Sequence, residues 1–196
     1  MTRTMTLLAA LVLVGCGGAS QTDSTGATDS TADSAGGEST YGRQVGPELV
    51  VGGQPTDAEL RAAAELGVQQ VVTLRAASEP GQDGEEALAT ELGLHFVRIP
   101  VAGADGLTED NARALDAALA NGSTLLHCGS GNRAGALLGL RAHVVSGASA
   151  EEAMERARAA GMTSLESALE ERLTSEASED EQSGAMKLSS PRVPPR

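Results

Sequence analysis

His127-Cys128-Gly129-Ser130-Gly131-Asn132-Arg133 is the stretch on which the reading of this chain turns. Ahead of it lies an apolar, strand-like segment, Ser123-Thr124-Leu125-Leu126, and behind it a helix-like one runs from Arg133 to Val145. A cysteine thus closes a strand, and a short glycine-containing loop opens a helix. At a helix N-terminus the backbone N–H groups lack partners and the dipole favours an anion. Gly129 and Gly131 let successive N–H groups converge, and Arg133 adds a planar fork of donors suited to oxyanions. The same positive field favours the thiolate of Cys128, the reactive form of the side chain. One loop therefore offers a nucleophile, Cys128, and an oxyanion cradle made of Gly129, Ser130, Gly131, Asn132 and Arg133.

Outward from that loop, strand-like and helix-like segments alternate. Leu49-Val50-Val51 reads as a short strand, and Thr56 or Asp57 caps a helix reaching Leu66. Val68 to Leu74 is rich in β-branched residues and reads as a strand, followed by a loop broken by Pro80 and Gly81. Glu85 to Leu92 is helical, His95 to Ile99 is a strand, and Thr108 caps a helix to about Ala120. After the helix from Arg133, Ser149 caps another, Ala150 to about Ala160, and a last one starts near Ser164. This alternation predicts an α/β domain with a mainly parallel central sheet flanked by helices. Sites in such sheets form at the carboxyl ends of the strands. Cys128, Arg75 and the loop after Pro100 all fall there, so three loops are expected to meet at one crevice.

The ends of the chain are of another kind. Arg3 precedes an apolar run, Met5 to Val14, and Leu13-Val14-Gly15-Cys16 closes it. Residues 1–15 read as a secretory signal, too short for a comfortable membrane span. Leu-Val-Gly-Cys also resembles a bacterial lipobox, which implies cleavage before Cys16, lipidation of its sulfur and a membrane lipid anchor. Gly17 after it favours the outer membrane, facing the periplasm, by resemblance to Gram-negative lipoproteins. Residues 16–44 are expected to hold the lipidated cysteine and a flexible Gly/Ser/Thr/Ala/Asp tether. Residues 45–174 form the domain, and 175–196 an acidic, proline-containing disordered tail. The domain is one of ordinary size, not two.

Composition narrows the chemistry. The formal net charge is −13, and no basic stripe offsets it, so nucleic acid is not expected as a partner. One Phe, one Tyr and no Trp leave a core of Ala, Leu, Val and Gly. Of two cysteines, Cys16 is assigned to lipid, so Cys128 has no disulfide partner. The three histidines show no metal-ligand spacing, and neither a metal nor an organic cofactor is expected.

Gly53-Gln54-Pro55-Thr56, Glu59-Leu60, Leu66-Gly67-Val68, Val71-Val72-Thr73-Leu74-Arg75 and Glu79 together form a recognisable series. Gly93-Leu94-His95-Phe96, Ile99-Pro100-Val101 and His127-Cys128-x-Ser130-Gly131-x-Arg133 continue it. In order and spacing the series resembles the beta-lactamase hydrolase-like phosphatase family, a branch of the dual-specificity and tyrosine phosphatase superfamily, over residues 47–165. The resemblance implies a cysteine phosphatase-like fold and a phosphorylated or other oxyanionic substrate. Carried over, Cys128 is the nucleophile, Arg133 and the N–H groups from Gly129 to Arg133 bind the phosphate, and His127 tunes the thiolate. By chain order the general acid comes from the loop before the Thr108 helix, where Asp105 stands between Gly103 and Gly106, which could let it swing. Arg75 and Glu79 match a Leu-Arg-x-x-x-Glu pattern and could pair beside the crevice. Gln54 could mark its turn or reach the site.

The sequence departs from that pattern twice. Cysteine-based tyrosine phosphatases usually space Cys and Arg by one residue more than the four from Gly129 to Asn132. They also carry Ser or Thr after the Arg, where this chain has Ala134. The shorter loop is shared with rhodaneses, so a sulfurtransferase using a Cys128 persulfide stands as the alternative. A non-catalytic module that binds an anion or a protein is the third reading.

Overall fold

The computed structural model describes residues 41–175. Its five strands are β1 (Arg43–Gly46), β2 (Leu49–Gly52), β3 (Gln70–Thr73), β4 (His95–Arg98) and β5 (Thr124–His127). They form one sheet in the order β1-β2-β5-β3-β4. Only β1 runs antiparallel, against β2; the other pairings are parallel. The helices are α1 (Asp57–Glu65), α2 (Glu85–Glu91), α3 (Glu109–Leu119), α4 (Asn132–Ser146) and α5 (Ala150–Ala159), with a sixth, α6, over 166–175. The expected α/β fold is the observed one, and Thr56, Thr108 and Ser149 each cap the predicted helix through their side-chain oxygens.

The order explains the apolar runs. β5 and β3 lie inside the sheet, and all four residues of each are buried, as expected for parallel strands covered on both faces. Their side chains alternate. Val72 and Leu126 point into a core with α3, α4, α5 and α6 residues, and Val71 and Leu125 into a second core with α1 and α2 residues. Gln70, buried on β3, donates to Ala118 O at 2.7 Å and Thr124 Oγ1 at 2.6 Å, so its polar end is satisfied.

The register sets the site. Gly52 pairs with His127, His127 with Thr73, and Thr73 with Arg98. Four strand ends therefore finish level, and the chain leaves each of them on the same edge. α4 leaves from that edge through a tight contact with α5 and the turn after it. A Cβ on Gly135 would sit 2.4 Å from Met162 N, and one on Gly139 2.6 Å from Ala153 O. Those two glycines let backbones touch and fix the helix that carries Arg133.

The folded elements start earlier than the expected boundary at residue 45. Tyr41 is 7% exposed, and Gly42 turns with a φ of +68° into β1. The polar sequence Arg43-Gln44-Val45-Gly46 gave no alternating signal because β1 is an edge strand, mostly exposed. The Tyr41 ring lies on Gly52, where a Cβ would come within 2.7 Å of it, and its hydroxyl donates to Gly53 O. The one tyrosine of the chain thus closes the sheet edge beside the Cys128 loop.

Candidate active site

The Cys128 loop is built against the turn that follows β2. Cys128 N donates to Gly52 O at 3.4 Å, and Gln54 N donates to Gly129 O at 3.2 Å. Gly53 bridges Ser130, and a Cβ on Gly53 would stand only 3.1 Å from Gly129 O. This close approach is what Gly53 is needed for. Gly131 takes φ +88° and stands as the N-cap of α4, a conformation that favours glycine. Its N–H donates to Cys128 Sγ at 3.1 Å. The sulfur therefore lies inside the curl of the loop, and Cys128 is 1% exposed. Ser130 and Gly129 are exposed at the rim.

Arg133 is fastened on its far side. Its Nη1 and Nη2 donate to Glu79 Oε1 and Oε2, both at 2.8 Å. Nη1 also donates to Val101 O at 3.0 Å. This two-point fork fixes the guanidinium plane as well as its charge. Glu79 is in turn held by Ala76 N at 2.9 Å and Arg75 Nε at 3.2 Å. The expected Arg75–Glu79 pair is present, but Glu79 serves chiefly to brace Arg133. The Arg133 bonds, with those from Ala76 and Arg75, overcome partial burial and lower the Glu79 carboxyl to about 2, and Glu79 raises Arg133 above its ordinary value. Gln54 does both things left open for it: its main chain holds Gly129, and its side chain accepts from Arg75 Nη1.

His127 lies beneath the loop, wholly buried. Its Nδ1 is 3.3 Å from Cys128 O, and its Nε2 is 2.7 Å from Glu85 Oε1. Glu85 opens α2 and is 4% exposed. From sequence it reads as an ordinary first-turn acid favoured by the helix dipole. Nothing local marks it as the partner of a residue that lies beyond β4 and α3 in sequence, at the end of β5; only the fold brings them together.

Asn132 and Asp105 complete the expected site residues. The Asn132 side chain turns away from Cys128: its Oδ1 accepts from Thr163 N at 2.7 Å and Ser164 N at 3.0 Å, and its Nδ2 donates to Ser164 Oγ at 2.9 Å. It ties the chain after α5 to the start of α4, so only its backbone N–H stays with the loop. Asp105 is exposed on the loop of residues 102–106. Gly106 is no hinge for it, since a Cβ there would stand 2.4 Å from Ala102 N; the glycine is packed. Gly103, with φ +58°, is the freer end. The same loop begins at Val101, whose carbonyl holds Arg133, so the Asp105 loop and the arginine are mechanically joined.

Known proteins resemble this chain in sequence and fold. Residues 42–145 match the family described as "Beta-lactamase hydrolase-like protein, phosphatase-like domain". A beta-lactamase hydrolase-like protein of Xylella fastidiosa (strain Temecula1) is 36% identical over 96 residues, 46% of this chain. The chain spans only 22% of that relative's length. Among solved structures, a candidate phosphatase of Neisseria meningitidis Z2491 superposes with a TM-score of 0.56 at 25% identity, covering 67% of this chain and 94% of that one. A DUF442 protein of Shewanella putrefaciens CN-32 gives 0.52 at 20% identity, over 68% of this chain and 91% of its own, and shares the fold. The match begins at Gly42, just before the edge strand, and takes in all five strands and the cysteine loop, and on it the chain belongs to the phosphatase-like domain family of the beta-lactamase hydrolase-like proteins.

Proposed function

We propose that the chain is a cysteine-dependent phosphatase acting on a phosphate monoester. The observation that carries this reading is the loop itself: Cys128 Sγ receives the Gly131 N–H at 3.1 Å, and Arg133, in the first turn of α4, is held to Glu79 at two points. The Cys128 thiolate attacks phosphorus, an S–P bond forms, and the ester P–O bond breaks. Asp105 gives its proton to the leaving oxygen. Water then attacks phosphorus, the S–P bond breaks, Asp105 takes back a proton, and phosphate leaves. The loop N–H groups and Arg133 carry the charge on the equatorial oxygens in both steps. Ala134, buried in α4, supplies no hydroxyl to the departing sulfur, and in this reading the Gly131 N–H takes that part.

The four-residue spacing between Cys128 and Arg133 favours the sulfurtransferase as a second reading, because a tighter loop suits a persulfide. The two are separated by assaying aryl phosphate hydrolysis and thiosulfate-to-cyanide transfer on the reduced chain side by side. Phosphate release without thiocyanate is expected; thiocyanate alone moves the protein to sulfur transfer.

The Asp105 role has its own test. Asp105→Asn is expected to slow alkyl phosphates by about 10²-fold, and aryl phosphates with good leaving groups far less. An equal loss on both substrates removes Asp105 from the acid role, because a group that protonates the leaving oxygen matters in proportion to how poorly that oxygen leaves.

We also propose that Cys16 carries the lipid of an envelope protein, tethered to the membrane and facing the periplasm. Cys16, the signal and the C-terminal tail lie outside the described residues. Incorporation of labelled palmitate that is lost in Cys16→Ser is the expected result; equal labelling of both proteins refutes it.

A further inference from the structure

We infer that Glu85 is a positioning residue: with His127 it forms a buried carboxylate–imidazolium pair that fixes the Cys128 backbone and sets a positive charge beside its sulfur. The inference rests on Cys128 being the reactive thiol of the proposed phosphatase, and on three features of the geometry.

The first is hydrogen-bond polarity. His127 Nδ1 faces Cys128 O at 3.3 Å. A carbonyl only accepts, so Nδ1 must carry a proton. His127 Nε2 faces Glu85 Oε1 at 2.7 Å. Two bare lone pairs repel at that distance, so a proton lies between the groups, and we place it on Nε2, beside an ionised carboxylate. A ring with N–H on both sides is a cation. The second is isolation. The His127 side chain is fully buried and that of Glu85 nearly so. Among the described residues, the Glu85 oxygens and His127 Nε2 make no hydrogen bond of full geometry, to each other or to any other group, so their 2.7 Å contact stands as an ion pair. A buried ion without its counter-ion is costly, so each group holds the other in its charged form. The third is position. His127 ends β5, and the next residue is the nucleophile, so the ring bonds the Cys128 main chain directly.

The surroundings agree. Burial pushes Glu85 up, but the bond and charge of His127, with the Gln54 amide and Arg98 on β4, outweigh it and hold the carboxyl below its ordinary value. On the other side Tyr41 stays a neutral phenol, because burial and the negative charges of Glu59, Cys128 and Glu85 raise it far above its usual range. Arg133 with Glu79 completes the charges around Cys128. The acid therefore does not act on the substrate. It keeps a proton on His127, and His127 keeps the loop in place.

Two measurements on the reduced full chain test this, and neither needs a phosphoryl substrate, so a failed phosphatase assay would leave them interpretable. The first is the pH dependence of Cys128 alkylation by iodoacetamide. In Glu85→Gln the carboxylate is gone while the size is kept. The alkylation profile is expected to move about one unit to higher pH, which is a roughly tenfold lower rate at any pH below both inflections. Glu85→Asp, which restores a carboxylate, should recover part of the rate. Superimposable profiles for wild type and Glu85→Gln, or equal losses in the Gln and Asp variants, overturn the inference. The second is nitrogen NMR of the wild-type His127 ring at neutral pH, which stands even if the variants fail to fold. Two protonated ring nitrogens are expected, and a neutral ring overturns the inference.

Discussion

Cys128→Ser is expected to lower phosphate release by about 10⁴-fold or more while leaving phosphate binding nearly intact. Loss of the nucleophile from a covalent mechanism removes the pathway rather than one contact within it. Serine is the right probe because it fits the same space. Its Oγ can accept the Gly131 N–H that Sγ accepts at 3.1 Å, so the curl of the loop and the N-cap of α4 survive. The oxyanion cradle consists of backbone N–H groups and Arg133, none of which the substitution touches. Isothermal titration with inorganic phosphate should therefore give similar affinity for both proteins, while the assay separates them by orders of magnitude. A serine variant with wild-type turnover would sink the covalent mechanism and leave a water attack at a merely binding loop. A variant that lost both turnover and binding would show that the thiolate, not the cradle, organises the site.

What could be seen from sequence follows from the range of the interactions. The Cys128 loop was legible because everything it needs is local: strand, cysteine, glycines, helix and arginine follow one another within a few residues. The α/β order was legible for the same reason, since β3 and β5 are centred on the apolar pairs Val71-Val72 and Leu125-Leu126 and the caps at Thr56, Thr108 and Ser149 stand next to the helices they begin. Glu79 was half legible. Its pairing with Arg75 is an i,i+4 contact, whereas its two-point hold on Arg133 crosses 54 residues. Glu85 was hidden behind its position in a helix first turn. Asn132 was legible only as backbone: its place in the loop sets its N–H there but says nothing of its side chain, which reaches Thr163 and Ser164 across the end of α5. β1 was missed because an exposed edge strand has no face to bury and so no pattern to read.

Arg133→Lys is the substitution that separates charge from shape, and it is expected to cost about 10²–10³-fold in kcat together with most of the phosphate affinity. Lysine keeps the positive charge but has one ammonium group in place of a planar fork. It cannot bond both Glu79 oxygens, reach Val101 O, and still present a donor plane to an oxyanion, all of which Arg133 is built to do. Glu79→Gln gives the contrast. It keeps the guanidinium and its bond to Val101 O, removes the counter-charge, and should cost only about tenfold by letting the arginine turn. The pH behaviour follows with a definite sign. Glu79 is lowered from 4.5 to about 2, so its stabilising contribution is complete above about 4.5 and fades as pH falls through about 2. Its grip on Arg133 therefore does not change across the neutral range, and any pH dependence of activity there must come from other groups. A lysine variant as active as wild type would mean that Arg133 acts only as a charge; a glutamine variant as damaged as the lysine one would mean that Glu79, rather than the fork it holds, is the group the reaction cannot do without.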